Sequence, residues 1–140
     1  MAGIIGNGVS LRGLYNQDKA FTWNITGTIN RATDLGKVVS QDVTAANSAK
    51  LIVADESILG VLASYEDRVQ EGVKVGTVYH DGAFSVPYTG TLAIGDQVCG
   101  SATPGAVKKA TAALTTGYGR KPAIVVEIDA GAGTCVIAFV

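Results

Sequence analysis

Charged side chains are scarce in this chain: Asp, Glu, Lys and Arg make up only 16% of its 140 residues, and eleven bases against twelve acids leave a formal charge of −1. With no net field to attract a polyanion, nucleic acid and an anionic membrane are both excluded as expected partners. Cysteine occurs twice, at Cys99 and Cys135, which is too few for a disulfide framework. Both lie inside apolar stretches, so they are expected to be buried, reduced thiols that pack as small hydrophobes. No apolar run reaches the ~18 residues of a spanning helix, and the N-terminal stretch has neither a basic start ahead of an apolar core nor a cleavage site. The expectation is a protein that is intracellular at synthesis.

What is present is apolar and stiff. Hydrophobic residues reach 47%, enough to exclude disorder through the body of the chain and to build a core at single-domain length. Val, Ile and Thr supply forty residues, and eighteen Gly with three Pro punctuate them. β-branched residues interrupted by turn formers predict an all-β domain, either a small β-sandwich or a barrel-like fold. Phe21, Trp23 and Ile25 alternate with Thr22, Asn24 and Thr26 in a first strand. Further strands are expected at 37–41, 50–54, 58–65, 73–79, 83–88, 97–100, 106–109, 123–128 and 134–140. Asp81-Gly82 is the strongest hairpin signal, and only 44–49 and 110–114 offer a turn or two of helix.

The chain also echoes itself. Leu35-Gly36-Lys37-Val38-Val39 is answered by Ile94-Gly95-Asp96-Gln97-Val98, and each is followed by a turn and a short strand opening at Ala49 or Ala106. Gly60-Val61-Leu62-Ala63 is answered by Ala123-Ile124-Val125-Val126, and Gly72 and Gly131 then precede a last apolar strand in each half. Two similar β-modules, at 33–80 and 92–140, are therefore expected to pack as one domain over 21–140. Residues 1–20 have Gly at 3, 6, 8 and 13 and no period, which suits an extended N-terminal arm.

Chemistry-bearing patterns are sparse. His80 beside Asp81 could form an oriented general base, but no serine sits in a nucleophile elbow, and a solvated histidine at a strand end is the expectation. One His and two Cys, scattered, cannot close a zinc site, and the acids lack the spacing of a calcium loop. The glycines at 3, 6 and 8 and at 131 and 133 have no phosphate-loop context, and Asn24-Ile25-Thr26 is a glycosylation pattern without a secretory signal. No enzyme activity and no cofactor are expected. Two features stand out. Asp55, Glu56, Glu66, Asp67 and Glu71 give residues 51–72 a net charge of −4, and Lys108, Lys109, Arg120 and Lys121 give 105–122 a net +4. These patches are either solvated loops or complementary surfaces that meet between subunits. In the arm, Ile4, Ile5, Val9, Leu11, Leu14 and Tyr15 are candidate apolar anchors.

The order of a Thr-rich opening strand, Leu35-Gly36-Lys37-Val38-Val39, Ile58-Leu59-Gly60-Val61-Leu62-Ala63, Gly72-Val73-Lys74-Val75-Gly76-Thr77-Val78, Leu92-Ala93-Ile94-Gly95-Asp96-Gln97-Val98 and a Val-rich last strand resembles the capsid-cement, or head decoration, proteins of tailed bacteriophages. The resemblance covers about residues 20–140. It implies a small β-rich structural protein of the virion, commonly a homotrimer, that binds the major capsid protein on the outside of the expanded head and stabilises it against DNA pressure. It implies no catalytic residues, and places the protein in the host cytoplasm during assembly. Two other readings share the composition: a phage tail or baseplate-associated β-domain, and a small β-barrel hydrolase or sugar-binding enzyme, which would need His80 or the acids at 55, 56, 66 and 67 to converge in a pocket.

Overall fold

Ten strands organise the residues that the computed structural model describes, 20–110 and 123–139, and no α-helix occurs among them. Strands β1 (Ala20–Ile25), β2 (Val38–Gln41), β3 (Ser48–Leu51), β4 (Gly60–Arg68) and β5 (Val73–Tyr79) close into a barrel in the order β1-β3-β2-β4-β5, with β5 pairing back onto β1. β1 and β3 run parallel, and the other neighbours antiparallel. Strands β6 (Ala83–Pro87), β7 (Val98–Gly100), β8 (Val107–Lys109), β9 (Ala123–Asp129) and β10 (Thr134–Phe139) retrace the same circuit. Here the ladders are β9-β10-β6 and β7-β8, joined by single bridges, Tyr88 to Val107 in parallel and Gln97 to Ile124 antiparallel. The domain is all-β and built from two similar modules, each of them barrel-like.

The duplication is visible bond by bond. Gly36 N–H donates to Leu62 O at 2.8 Å and Leu62 N–H to Lys37 O at 2.9 Å; in the second half Gly95 N–H donates to Val125 O at 2.8 Å and Val125 N–H to Asp96 O at 2.9 Å. Gly36 and Gly95 take the same left-handed conformation, with φ of 89° and 93°, which lets the chain turn into β2 and β7 without a Cβ penalty. Both halves slip register at the same place, between Leu62 and Ser64 and between Val125 and Glu127. Thr26 N–H reaches Ala49 O, and Thr89 N–H reaches Val107 O, both at 2.9 Å. Ala49 therefore corresponds to Val107, one residue beyond the expected Ala106. The repeat is also longer than expected, because β1 and β6 belong to it: Ala20-Phe21-Thr22 and Ala83-Phe84-Ser85 pair in equivalent registers with β5 and β10.

Three local expectations are corrected. Asp81-Gly82 does not close a hairpin: β5 is already paired on both edges, with β4 and β1, while β6 pairs with β10. The dipeptide links one barrel to the next, with the Asp81 carboxylate accepting the Gly82 N–H at 2.9 Å. The segment 44–49 is a turn that enters β3, because Asp42 caps Thr44 N–H at 2.9 Å and Asn47 sits at φ 53°. The third expected strand, 50–54, begins earlier, at Ser48, and ends at Leu51. The expected helix at 110–114 and the arm over 1–20 lie outside the described residues, apart from Ala110, which follows β8, and Ala20, which opens β1.

Adjacent strand residues point to opposite faces, so a pair of consecutive buried residues marks a strand covered on both sides. Val38 and Val39 are both fully buried, as are Val61 and Leu62 nearly so. Val39 and Leu62 join the interior of the first barrel with Ile25, Ala49, Tyr65 and Val78. Val38 and Val61, on the outer face, join Ile52 and Ile58 in a cluster with Val86, Val98, Val107, Val125 and Ile137 of the second half. Each such aliphatic contributes on the order of 1.5–3 kcal/mol when fully buried. At the equivalent outer positions the second half carries half-exposed Gln97 and Ile124.

The barrels are also joined by backbone. Val38 N–H donates to Gly105 O (3.0 Å), Gly105 N–H to Ile52 O (2.9 Å), Asp55 N–H to Gly100 O (3.0 Å) and Gly100 N–H to Glu56 O (3.0 Å). A Cβ at Gly100 would run into the Val53 carbonyl oxygen, and its next neighbour would be the Ile52 side chain at 2.6 Å. Gly100→Ala is therefore expected to lower unfolding free energy by roughly 1–3 kcal/mol in urea melts. Gly131→Ala, where the nearest atom is 3.5 Å away, serves as the control and should stay within about 0.5 kcal/mol of the parent. An equal, small effect of both would mean that the junction does not need this glycine.

Candidate functional site

A groove of about 310 Å³ rich in polar side chains lies between the end of β2, the following turn and the 55–57 segment, lined by Ser40, Asp42, Thr44, Lys50, Asp55 and Glu56 among others. Glu56 is held by three donors: Ser40 Oγ at 2.7 Å, Lys50 Nζ at 2.8 Å and Val53 N–H at 3.0 Å. Burial alone would raise its pKa, but the bonds from Lys50, Ser40 and Val53 outweigh it and keep the carboxyl below its ordinary range. Asp42 accepts from Thr26 Oγ1 and Thr44 Oγ1, both at 2.6 Å, and from Thr44 N–H at 2.9 Å. These bonds, the Thr26 hydroxyl first, lower its pKa to about 2.

A carboxyl suited to proton transfer near neutrality needs its pKa raised toward the working pH. Asp42 and Glu56 are shifted the other way, so the groove presents fixed, hydrogen-bonded charge. Of its lining residues, the charge pattern had singled out Asp55 and Glu56 only. The signal for Asp42 was available in Asp42-Val43-Thr44, an Asx-turn pattern; nothing in the spacing pointed to Ser40 or Lys50.

The remaining acids lie elsewhere. Glu66, Asp67 and Glu71 border a second, shallower groove of about 490 Å³ with Arg68 and Gln70. Arg68 pairs with Glu66 at 3.3 Å and Glu71 at 3.6 Å, so this acidic segment is partly neutralised within itself. The structure thus divides the five acids between two grooves. Lys108 pairs with Asp55 at 2.6 Å and Lys109 with Asp96 at 3.5 Å. The two charge patches do meet, but at Lys108 and Asp55 they meet inside one chain, across the barrel junction, because the Gly100 backbone is bonded to both Asp55 and Glu56. Arg120 and Lys121, and the arm residues Ile4, Ile5, Val9, Leu11, Leu14 and Tyr15, lie outside the described residues.

His80 is half-buried at the mouth of the first barrel, which corrects its expected solvated placement. Its Nε2 accepts the Trp23 indole N–H at 3.0 Å, and its Nδ1 lies 3.2 Å from the Leu59 carbonyl oxygen, which can only accept. The two contacts select the neutral tautomer with hydrogen on Nδ1. Phe21 packs on the imidazole with centroids 5.2 Å apart; at the same place in the second barrel Phe84 packs on Phe139 at 6.1 Å. Where the first barrel has Trp23 and His80, the second has Val86 and Phe139, so the imidazole accompanies the indole that needs an acceptor. Among the described residues no cluster of three or more His, Cys, Asp or Glu could hold a metal ion. Cys99 and Cys135 are buried free thiols, and burial pushes Cys135 up to about 11. No family model, no curated protein and no solved structure matches this chain.

Two outcomes follow from these contacts. His80→Phe strands the indole N–H and is expected to cost about 1–3 kcal/mol, while the pair Trp23→Val with His80→Phe, copying the second barrel, should recover part of the loss. Urea melts of the single and double variants decide this; a double variant no more stable than His80→Phe alone would contradict it. Acid should also destabilise the fold in a defined window. Because the Asp42 carboxyl ionises near 2 in the folded chain and at its usual 3.8 when unfolded, the unfolded state takes up the proton first. The stabilisation is complete above pH 3.8 and disappears as pH falls through 2, with Asp34 and Glu56, shifted the same way, adding to it. Asp42→Asn should flatten this part of the stability curve, and an unchanged curve would show that the Thr26 and Thr44 bonds do not select the carboxylate.

Proposed function

We propose that this chain is a structural protein of a tailed-phage virion, a decoration or cement protein that binds the outer surface of the head through the major capsid protein and stabilises it. The observation that supports the reading is the construction itself: a closed barrel and a second, barrel-like module of the same strand order, locked through shared backbone bonds and a common core, with Asp55, Glu56, Glu66 and Glu71 of the two grooves each in an ion pair. Such a body is suited to contact. Together with the order of motifs from the Thr-rich first strand to the Val-rich last one, it favours a decoration protein over a hydrolase or a sugar-binding enzyme, for which His80 or the acids at 55, 56, 66 and 67 would have to converge in a pocket. His80 is instead bonded to Trp23 and Leu59, and the acids stand in separate grooves.

In this reading the work is done by area. A homotrimer touching several capsid subunits at once converts modest single contacts into firm attachment, because each further contact forms at high effective concentration. The apolar arm residues Ile4, Ile5, Val9, Leu11, Leu14 and Tyr15 supply part of that contact. The test is sedimentation of the purified protein with expanded heads of the phage that encodes it, with light scattering of the free protein. Binding to heads and a trimeric mass are expected, and a chain beginning at Asp18 should remain folded yet bind at least tenfold more weakly. Binding to tails but not heads would assign the protein to the tail, and no particle binding at all would overturn the structural reading.

A further inference from the structure

We draw no further inference here: the strongest candidate, the pair of exposed aliphatic turn tips Leu35 and Ile94 that stand at equivalent places in the two barrels, carries nothing because nothing in the structure shows what covers them.

Discussion

Everything distinctive about this molecule depends on a close approach of backbone to backbone at Gly100. With no side chain there, the β7–β8 hairpin of the second barrel can lie against the 52–56 segment of the first and exchange hydrogen bonds with Asp55 and Glu56, while Gly105 does the same with Val38 and Ile52. A net contribution of about 0.5–1.5 kcal/mol for each such bond is modest, but an unpaired buried amide would cost more than that. The junction also fixes the chemistry beside it. By holding residues 55 and 56, it aims Glu56 at Ser40 and Lys50 and brings Asp55 within 2.6 Å of Lys108. The polar groove is thus a consequence of how the barrels dock.

The same constraint explains why the two halves are no longer alike. Inward positions have kept their character: Val39 matches Val98, Leu62 matches Val125, and Val78 matches Ile137, because each fills the same interior place in its module. Volume is exchanged between neighbours where residues differ. Tyr65 lies opposite Gly76 in the first barrel and Ile128 opposite Cys135 in the second, a large and small pair replaced by two of middle size. Outward positions have diverged with their surroundings. Val38 faces the other barrel and is buried, whereas its counterpart Gln97 does not. Gln41 and Asn47 stand where the second half has Gly100 and Gly105, so the first barrel's hairpin could not be inserted in the same manner.

Much of this was legible in the residues. Alternation located the strands to within a few positions, and the Leu-Gly-Lys-Val-Val echo marked a duplication whose hydrogen bonds coincide. The limits of legibility have physical causes. A dipeptide such as Asp81-Gly82 encodes a local reversal but not which strand edge is free to pair, and β5 had one edge taken by the preceding strand β4 and the other by β1, which is distant in sequence. The repeat of β1 in β6 was obscured because Trp23-Asn24 became Val86-Pro87. Pro87 has no N–H to give where Asn24 donates to Asn47 O at 2.9 Å, which is also why the second barrel closes there by a single bridge. The groove was the least legible feature. Its partners, Ser40 and Lys50 for Glu56 and Lys108 for Asp55, are brought together by barrel closure and docking, and charge counted along the chain registers only that acids cluster.

A charge pattern in one dimension can therefore give the opposite impression from the folded molecule. Residues 51–72 look like an uncompensated patch along the chain, yet among the described residues Lys50, Arg68 and Lys108 pair with Glu56, Glu66, Glu71 and Asp55. Pairs of this exposure are screened by salt and contribute little on their own; their effect is to offset part of the acidic charge locally. An interface that relied little on ion pairs would draw its affinity from shape and apolar area. On the proposed reading, attachment to a head would then be set by the fit of the barrels and by the arm, with the ionic groups keeping the junction in place.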